Sequence, residues 1–250
     1  MPSALDRATQ IDRLGQLARL TQAVQPLSMA HERLLPVHHA LTAALPAGGL
    51  ARGSTVCCTG GAAMSLALAL VGEATQAGSW AGVVGLPSVG LAAAGELGLA
   101  LRRTVFVATP PPSQWSAVLA TLVDGTDVVV AGVPGSFRPG DARRLQARVQ
   151  AGGKALVLVG DPGPVSVDVV LDVTASSWEG LGSGHGHLQR RRVRLQARGR
   201  RMGRPRDVEL WLPGATGAPE PIPPAVTNTT TTTTTNTTTN TTTTAWSCAG

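Results

Sequence analysis

Between Thr55 and Gly160 the chain repeats one unit: a short apolar run, a break marked by Gly or Pro, then a segment of helical length. The runs TVCCT, WAGVVGL (80–86), RTVFVAT (103–109), TDVVVAG (126–132) and KALVLVG (154–160) read as strands. Helices are predicted over 62–77, 90–101, 113–123 and 138–152. Continuous apolar runs, as opposed to alternating ones, suit strands covered on both faces. Strands regularly alternating with helices imply an α/β fold with a parallel, doubly wound sheet.

The pattern changes after Gly160. VDVVLDVTASSW (167–178) reads as a strand leading into a loop. GHLQRRRVRLQARG (186–199) alternates strictly, with Val193, Leu195 and Ala197 on one face and Arg192, Arg194, Gln196 and Arg198 on the other. RDVELWLPG (206–214) puts Val208, Leu210 and Leu212 on one face. The two runs predict an antiparallel hairpin at the sheet edge, its outward face a ladder of arginines.

Composition sets the kind of core. Apolar residues make up 43% of the chain and aromatics only 3%, so the interior is built from Ala, Val and Leu with backbones close together. The stretch 34–214, about 180 residues, is long enough for one domain with a real core. Before it, 4–24 places Leu5, Ala8, Ile11, Leu14, Leu17 and Val24 on one stripe, an amphipathic helix that with its linker fills 1–33. After it, 215–250 is Pro-rich and then almost wholly Thr and Asn, which lacks the apolar surface to offset ordering entropy. That tail is expected to be disordered. The N-terminus lacks the apolar run of a secretory signal, no stretch is long enough to span a membrane, and the three cysteines form no disulfide framework. A cytoplasmic protein is expected.

VCCTGGAAMSLALALVGEA (56–74) stands where a nucleotide-binding protein carries its phosphate loop. A working loop reads G-x-x-x-x-G-K-[ST]: backbone N–H groups wrap the phosphates, the Lys spans the outer two, and the hydroxyl ligates Mg²⁺. With Ser65 as the hydroxyl, the first Gly should fall at Cys58. Counted from Gly60 the loop is two residues short, and Met64 holds the Lys position. Gly60 and Gly61 turn the strand into a helix that Thr59 or Ser65 would cap. A strand–turn–helix joint, with no nucleotide cofactor and no metal, is the reading of this segment.

The order LPAGGLARGSTVCCTGGAAMSLALAL, VVGLPSVGLAAAGELGLAL, VFVATPPPSQWSAVLATLV and GTDVVVAG resembles the core of RecA over roughly 34–175. That likeness implies a RecA-like P-loop-type sheet with a catalytic Glu after the second strand and a Mg²⁺-linked Asp ending the DVVVAG strand. Here the Glu position falls at Leu86 or Pro87, and the Asp position is Gly132. Asp127 matches only the first Asp of that strand. With Met64 this makes three charged groups gone together, and phosphoryl transfer depends almost wholly on positioning and charge. The segments LVDGTDVVVAG, SSWEGLGSGHGHLQRRRVRL and VELWLPG make the chain similar to the ImuA-type accessory proteins of actinobacteria. The resemblance implies a non-catalytic member of a damage-induced translesion synthesis assembly. Its partners would be an ImuB-like protein and an error-prone DnaE-type polymerase. Two other functions stay open: a DNA-stimulated ATPase or recombinase with a variant loop, and a RecA-fold inhibitor of cell division.

The net charge is +6, and nine arginines without one acid lie between His185 and Arg206. Such a run points to an anionic partner, nucleic acid first. Arg190, Arg191, Arg192, Arg194, Arg198, Arg200, Arg201 and Arg204, with Arg206, are the expected contacts to DNA or to a protein partner. With no stacking platform of aromatics nearby, binding there would be electrostatic and sequence-tolerant. His185 and His187 lack a third metal ligand, His38 and His39 start a short helix, and Asp161 before Pro162 reads as a turn residue.

Overall fold

The computed structural model describes residues 33–132, 137–181 and 186–222. In chain order the elements are β1 (Leu34–Leu35), a 3₁₀ turn (His39–Ala44), β2 (Leu50–Ala51), β3 (Thr55–Gly60), α1 (Ala63–Gln76), β4 (Ala81–Val84), α2 (Leu91–Glu96), β5 (Thr104–Val107), α3 (Trp115–Gly125), β6 (Val128–Ala131), α4 (Pro139–Ala151), β7 (Ala155–Val159), β8 (Val169–Leu181), β9 (Gly186–Gly199), β10 (Arg206–Trp211) and β11 (Glu220–Pro221). β1 and β2 pair only with each other. The other nine strands form one sheet in the order β11-β10-β9-β8-β3-β7-β6-β4-β5.

The predicted α/β class holds. Strands β3 to β8 run parallel, and β9, β10 and β11 add antiparallel pairings beyond β8. Two apolar layers cover the sheet. One joins α1, α2 and the 3₁₀ turn to one face, from β4 across to β10. The other joins α3 and α4 to the opposite face of β3, β4, β6 and β7. Successive strand residues point to opposite faces, so the adjacent thiols Cys57 and Cys58 enter different layers. Strands β4, β6 and most of β7 are buried residue after residue because helices lie on both sides. Beyond β8, among the described residues, only one face is covered. There β9 buries Val193, Leu195 and Ala197 and exposes Arg192, Arg194 and Arg198, as the alternation predicts.

Helix α1 is made of Ala and Leu, strong helix formers, and is buried on nearly all sides. Gly72 lets the chain at Gly98 approach: a Cβ on Gly72 would stand 3.1 Å from the Gly98 carbonyl carbon. Beside it the buried Thr75 hydroxyl donates to Gly72 O (2.7 Å) and accepts from Ala100 N (2.9 Å), so its burial leaves nothing unpaired.

Several boundaries differ from the sequence reading. α2 stops at Glu96, well short of 101, because the chain turns at Gly98 with φ +99°. The segment after Trp178 is not a loop: β8 runs on to Leu181, paired with β9. The paired chain also extends past Gly214, where the sequence reading placed the start of a disordered tail. Gly214 N donates to Ala218 O, and the returning Glu220–Pro221 pairs with Leu210–Trp211. The amphipathic stripe of 4–24 and the Thr/Asn tract lie outside the described residues.

Leu70 is fully buried against the sheet in the larger layer. Leu70→Ala is expected to cost about 2–5 kcal/mol, the usual range for a buried Leu emptied to Ala, read as a lower denaturant midpoint with an unchanged slope.

Candidate functional site

Open α/β sheets bind ligands at the carboxyl ends of strands whose connections leave toward opposite faces. This sheet has two such places. After β3 the chain enters α1 on one face, whereas Val165, in the connection after β7, packs on the other. The neighbours β4 and β6 diverge likewise, into α2 and α4. The phosphate-loop position lies at the first place and the expected acidic positions at the second.

At the first, β3 turns at Gly60 with φ +86°. A side chain there would run into the Val173 carbonyl, so glycine is required. α1 then starts at Ala63, with Ala62 at the N-cap position and no side-chain cap. The expectation that Thr59 or Ser65 caps it is therefore corrected. Thr59 is held elsewhere, its hydroxyl donating to Asp172 Oδ1 at 2.6 Å on β8. Met64 packs, half-buried, on the larger apolar layer. Arg191 reaches over from β9: its Nη2 donates to Gly61 O (3.0 Å) and to Ser176 Oγ (2.8 Å). Burial pulls this guanidinium below its ordinary value, and its buried Nε has no partner among the described residues. A phosphate loop turns its N–H groups to a ligand; here the Gly61 carbonyl is given to an arginine of the same chain.

At the second place the crevice is filled. A Cβ on Gly132 would stand 2.7 Å from Gly85 O and 2.9 Å from Leu86 Cδ2. Gly85 has φ +70°, and a side chain there would enter the Trp115 ring, which is 2% exposed. Gly132 N donates to Val84 O (3.1 Å), drawing the two strand ends together. The backbone has thus closed over the room in which a carboxylate at 132 would stand. Leu86 packs against the larger apolar layer, and Pro87 is exposed. Asp127 lies at the opposite edge of the sheet, where it accepts from Trp80 N (3.0 Å) and pairs with Arg52 (3.5 Å).

The arginine ladder is largely paired. Arg190 Nε donates to Glu179 (2.9 Å), and its guanidinium lies 3.9 Å from the Trp211 ring centroid. Glu209 on β10 takes Arg192 (2.6 Å) and Arg194 on its two oxygens, and their hydrogen bonds hold its carboxyl below the usual range. Arg198 approaches Asp172 at 3.8 Å. The outward face that sequence reading assigned to phosphate contact is therefore a lattice of cross-strand ion pairs. The acids come from β8 and β10, and the alternation of VELWL was the available signal, since it turns Glu209 outward beside Arg194. Arg206 donates to Ala43 O and Leu45 O, closing the end of the 3₁₀ turn. Arg200 donates to Ser166 Oγ (2.7 Å). Arg201 and Arg204 are exposed and have no side-chain partner among the described residues.

Sequence reasoning missed one concavity. At the amino ends of β3 and β8, the edge away from the phosphate-loop position, a cavity of about 490 Å³ is lined by Leu45, Pro46, Val56, Val169, Arg52 and Arg201, among others.

Residues 43–165 match the MT3502 N-terminal domain. The match takes in β2 to β7 and α1 to α4, and leaves out the strands from β8 onward. The chain is also 41% identical, over 101 residues, to the uncharacterized protein Rv3395c of Mycobacterium tuberculosis. That alignment covers 40% of this chain, and the chain spans about half (49%) of that relative's length. Asp161 forms the expected turn, accepting from Gly163 N (2.9 Å). His38 accepts from Ala40 N at the start of the 3₁₀ turn, and His187 is exposed; His185 lies outside the described residues. Among the described residues no cluster of His, Cys, Asp or Glu could hold a metal ion, and no helix is long and apolar enough to cross a membrane.

Two outcomes test this geometry. Gly132→Asp is expected to lower stability by roughly 1–3 kcal/mol, as overpacking does, and to confer no ATP hydrolysis in a coupled assay. Burial, with Asp161 adding to it, pushes the Cys57 thiol from 9.0 up to about 11. The unfolded chain therefore releases this proton near pH 9 and the native chain only near 11, so stability present below pH 9 is lost as pH rises through that window. Urea midpoints across it are expected to fall less in Cys57→Ala than in the parent chain.

Proposed function

We propose that the chain is a RecA-like, non-catalytic accessory protein of ImuA type in damage-induced, error-prone DNA synthesis. It serves as a scaffold that bridges polymerase subunits and touches DNA through its arginine-rich C-terminal region. The observation that carries the non-catalytic part is the Gly85–Gly132 approach: the place of the metal-linked Asp holds the Gly85 backbone and the Leu86 side chain. The absence of Lys at Met64 and the Arg191–Gly61 tie support the same reading. The order of motifs along 34–175, laid on a mostly parallel sheet, supports the RecA-like part. The partners follow from the resemblance of the C-terminal segments to ImuA-type proteins.

A scaffold of this kind is expected to co-purify, after DNA damage, with an ImuB-like protein and a DnaE-type polymerase. The purified chain is expected to show no saturable Mg·ATP binding up to about 1 mM, where even a 4 kcal/mol interaction would register. Turnover of ATP that is abolished by Ser65→Ala would instead favour the DNA-stimulated ATPase. Capture of a cytoskeletal GTPase in place of the polymerases would favour the division inhibitor.

A further inference from the structure

The nine arginines between His185 and Arg206 are not one surface. Those on the outward face of the β8–β10 strands face carboxylates: Arg190 pairs with Glu179, Arg192 and Arg194 pair with Glu209, and Arg198 lies 3.8 Å from Asp172. An external phosphate would have to displace these acids. The turn between β9 and β10 is different. From Gly199 to Pro205 it holds Arg200, Arg201 and Arg204 with no acid. Arg200 has only a neutral serine hydroxyl as side-chain partner, and Arg201 and Arg204 have none among the described residues.

The turn also borders the cavity at the amino ends of β3 and β8. Arg201 lines that cavity together with Arg52, which is paired with Asp127, and with Asp168, whose carboxylate accepts from Thr55 N, and Leu45, Pro46 and Val56 give it an apolar wall. At about 490 Å³ it exceeds the volume of one nucleobase several times over and falls within the usual range of ligand pockets. Arg201, with Arg200 and Arg204 on the same turn, beside a hollow with an apolar wall matches a chain of phosphates that carries unstacked bases. A duplex keeps its bases stacked and out of reach of such a hollow.

We infer that the β9–β10 turn and the adjoining cavity bind single-stranded nucleic acid, with Arg200, Arg201 and Arg204 on phosphates and a base lodged beside Arg201, and that the outward arginine face does not. This deepens the accessory-protein reading and rests on it only for where the strand comes from. It moves the contact to the sheet edge opposite the phosphate-loop position.

The test uses the full chain and a fluorescein-labelled thirty-nucleotide oligo-dT, read by anisotropy across salt. Each phosphate contact on a single strand adds about −0.7 to the log–log salt slope. Arg200→Ala/Arg201→Ala/Arg204→Ala is therefore expected to flatten the slope by about 2 and to weaken binding at least about tenfold at low salt. Arg201→Ala/Arg204→Ala, which keeps the Ser166 contact, is expected to flatten it by about 1.4 and to melt as the parent chain does. Arg190→Ala/Arg192→Ala/Arg194→Ala is expected to stay within about twofold, as its arginines are already paired. Three results would each overturn the inference: no oligo-dT binding by the parent chain, equal loss in the outward-face variant, or duplex bound as tightly as the single strand. Poly-glutamate competing as well as oligo-dT would also overturn it, in favour of an acidic protein partner. Polymerase capture without DNA binding sinks this inference alone; DNA binding at the turn without polymerase capture sinks the accessory reading alone.

Discussion

Everything in this molecule is hung on β3. It lies between β7 and β8, parallel to both, and its residues Val56 to Cys58 are buried on both faces. Its ladder fixes where α1 starts, and through Thr59 and Asp172 it fixes β8. At its other end the Asp168 carboxylate accepts from Thr55 N (2.9 Å), which ties the entry of β8 to the entry of β3. The strands from β9 onward are then laid down in register on β8. A slip of one residue in β3 would turn Cys57 and Cys58 to the wrong layers and carry β8 with it.

Small side chains are what let the rest of the sheet close. Ala, Gly and Val bring backbones near one another at Gly72–Gly98 and at Gly85–Gly132. The second approach has a chemical outcome. An open crevice of this kind leaves room between the strand ends for a side chain and a ligand. Here Gly85 O and Leu86 take the room a side chain at 132 would need, and Trp115, one of five tryptophans in the chain, packs against Gly85. A single substitution at 132 changes a side chain; the closure around it changes the shape in which any side chain would act.

Much of the architecture was legible because it rests on local signals. Continuous apolar runs flanked by Gly and Pro marked β3 through β7, and the two-residue period of 186–199 marked which residues of β9 are buried. What was not legible depended on residues far apart in sequence. The length of α2 turned on a left-handed glycine at 98, and the continuation of β8 turned on its partner strand. The arginine run read as free charge because its acids, Glu179, Glu209 and Asp172, come from neighbouring strands and are brought in only by register. The closure at Gly132 was visible in sequence as a missing acid but not as a filled space, since Gly85 and Leu86 come from the end of a separate strand.

The outer strands β8 to β10 bury one face and leave the other to solvent. Packing and surface chemistry are thereby written on alternate letters of the same segments. Val193, Leu195 and Ala197 answer to the core, while Arg192, Arg194 and Arg198 answer only to their neighbours across the strands. Single changes at the second set redraw the electrical pattern of the surface without unsettling the interior. Selection can therefore retune what this side of the molecule attracts or repels while the scaffold beneath it stays constant.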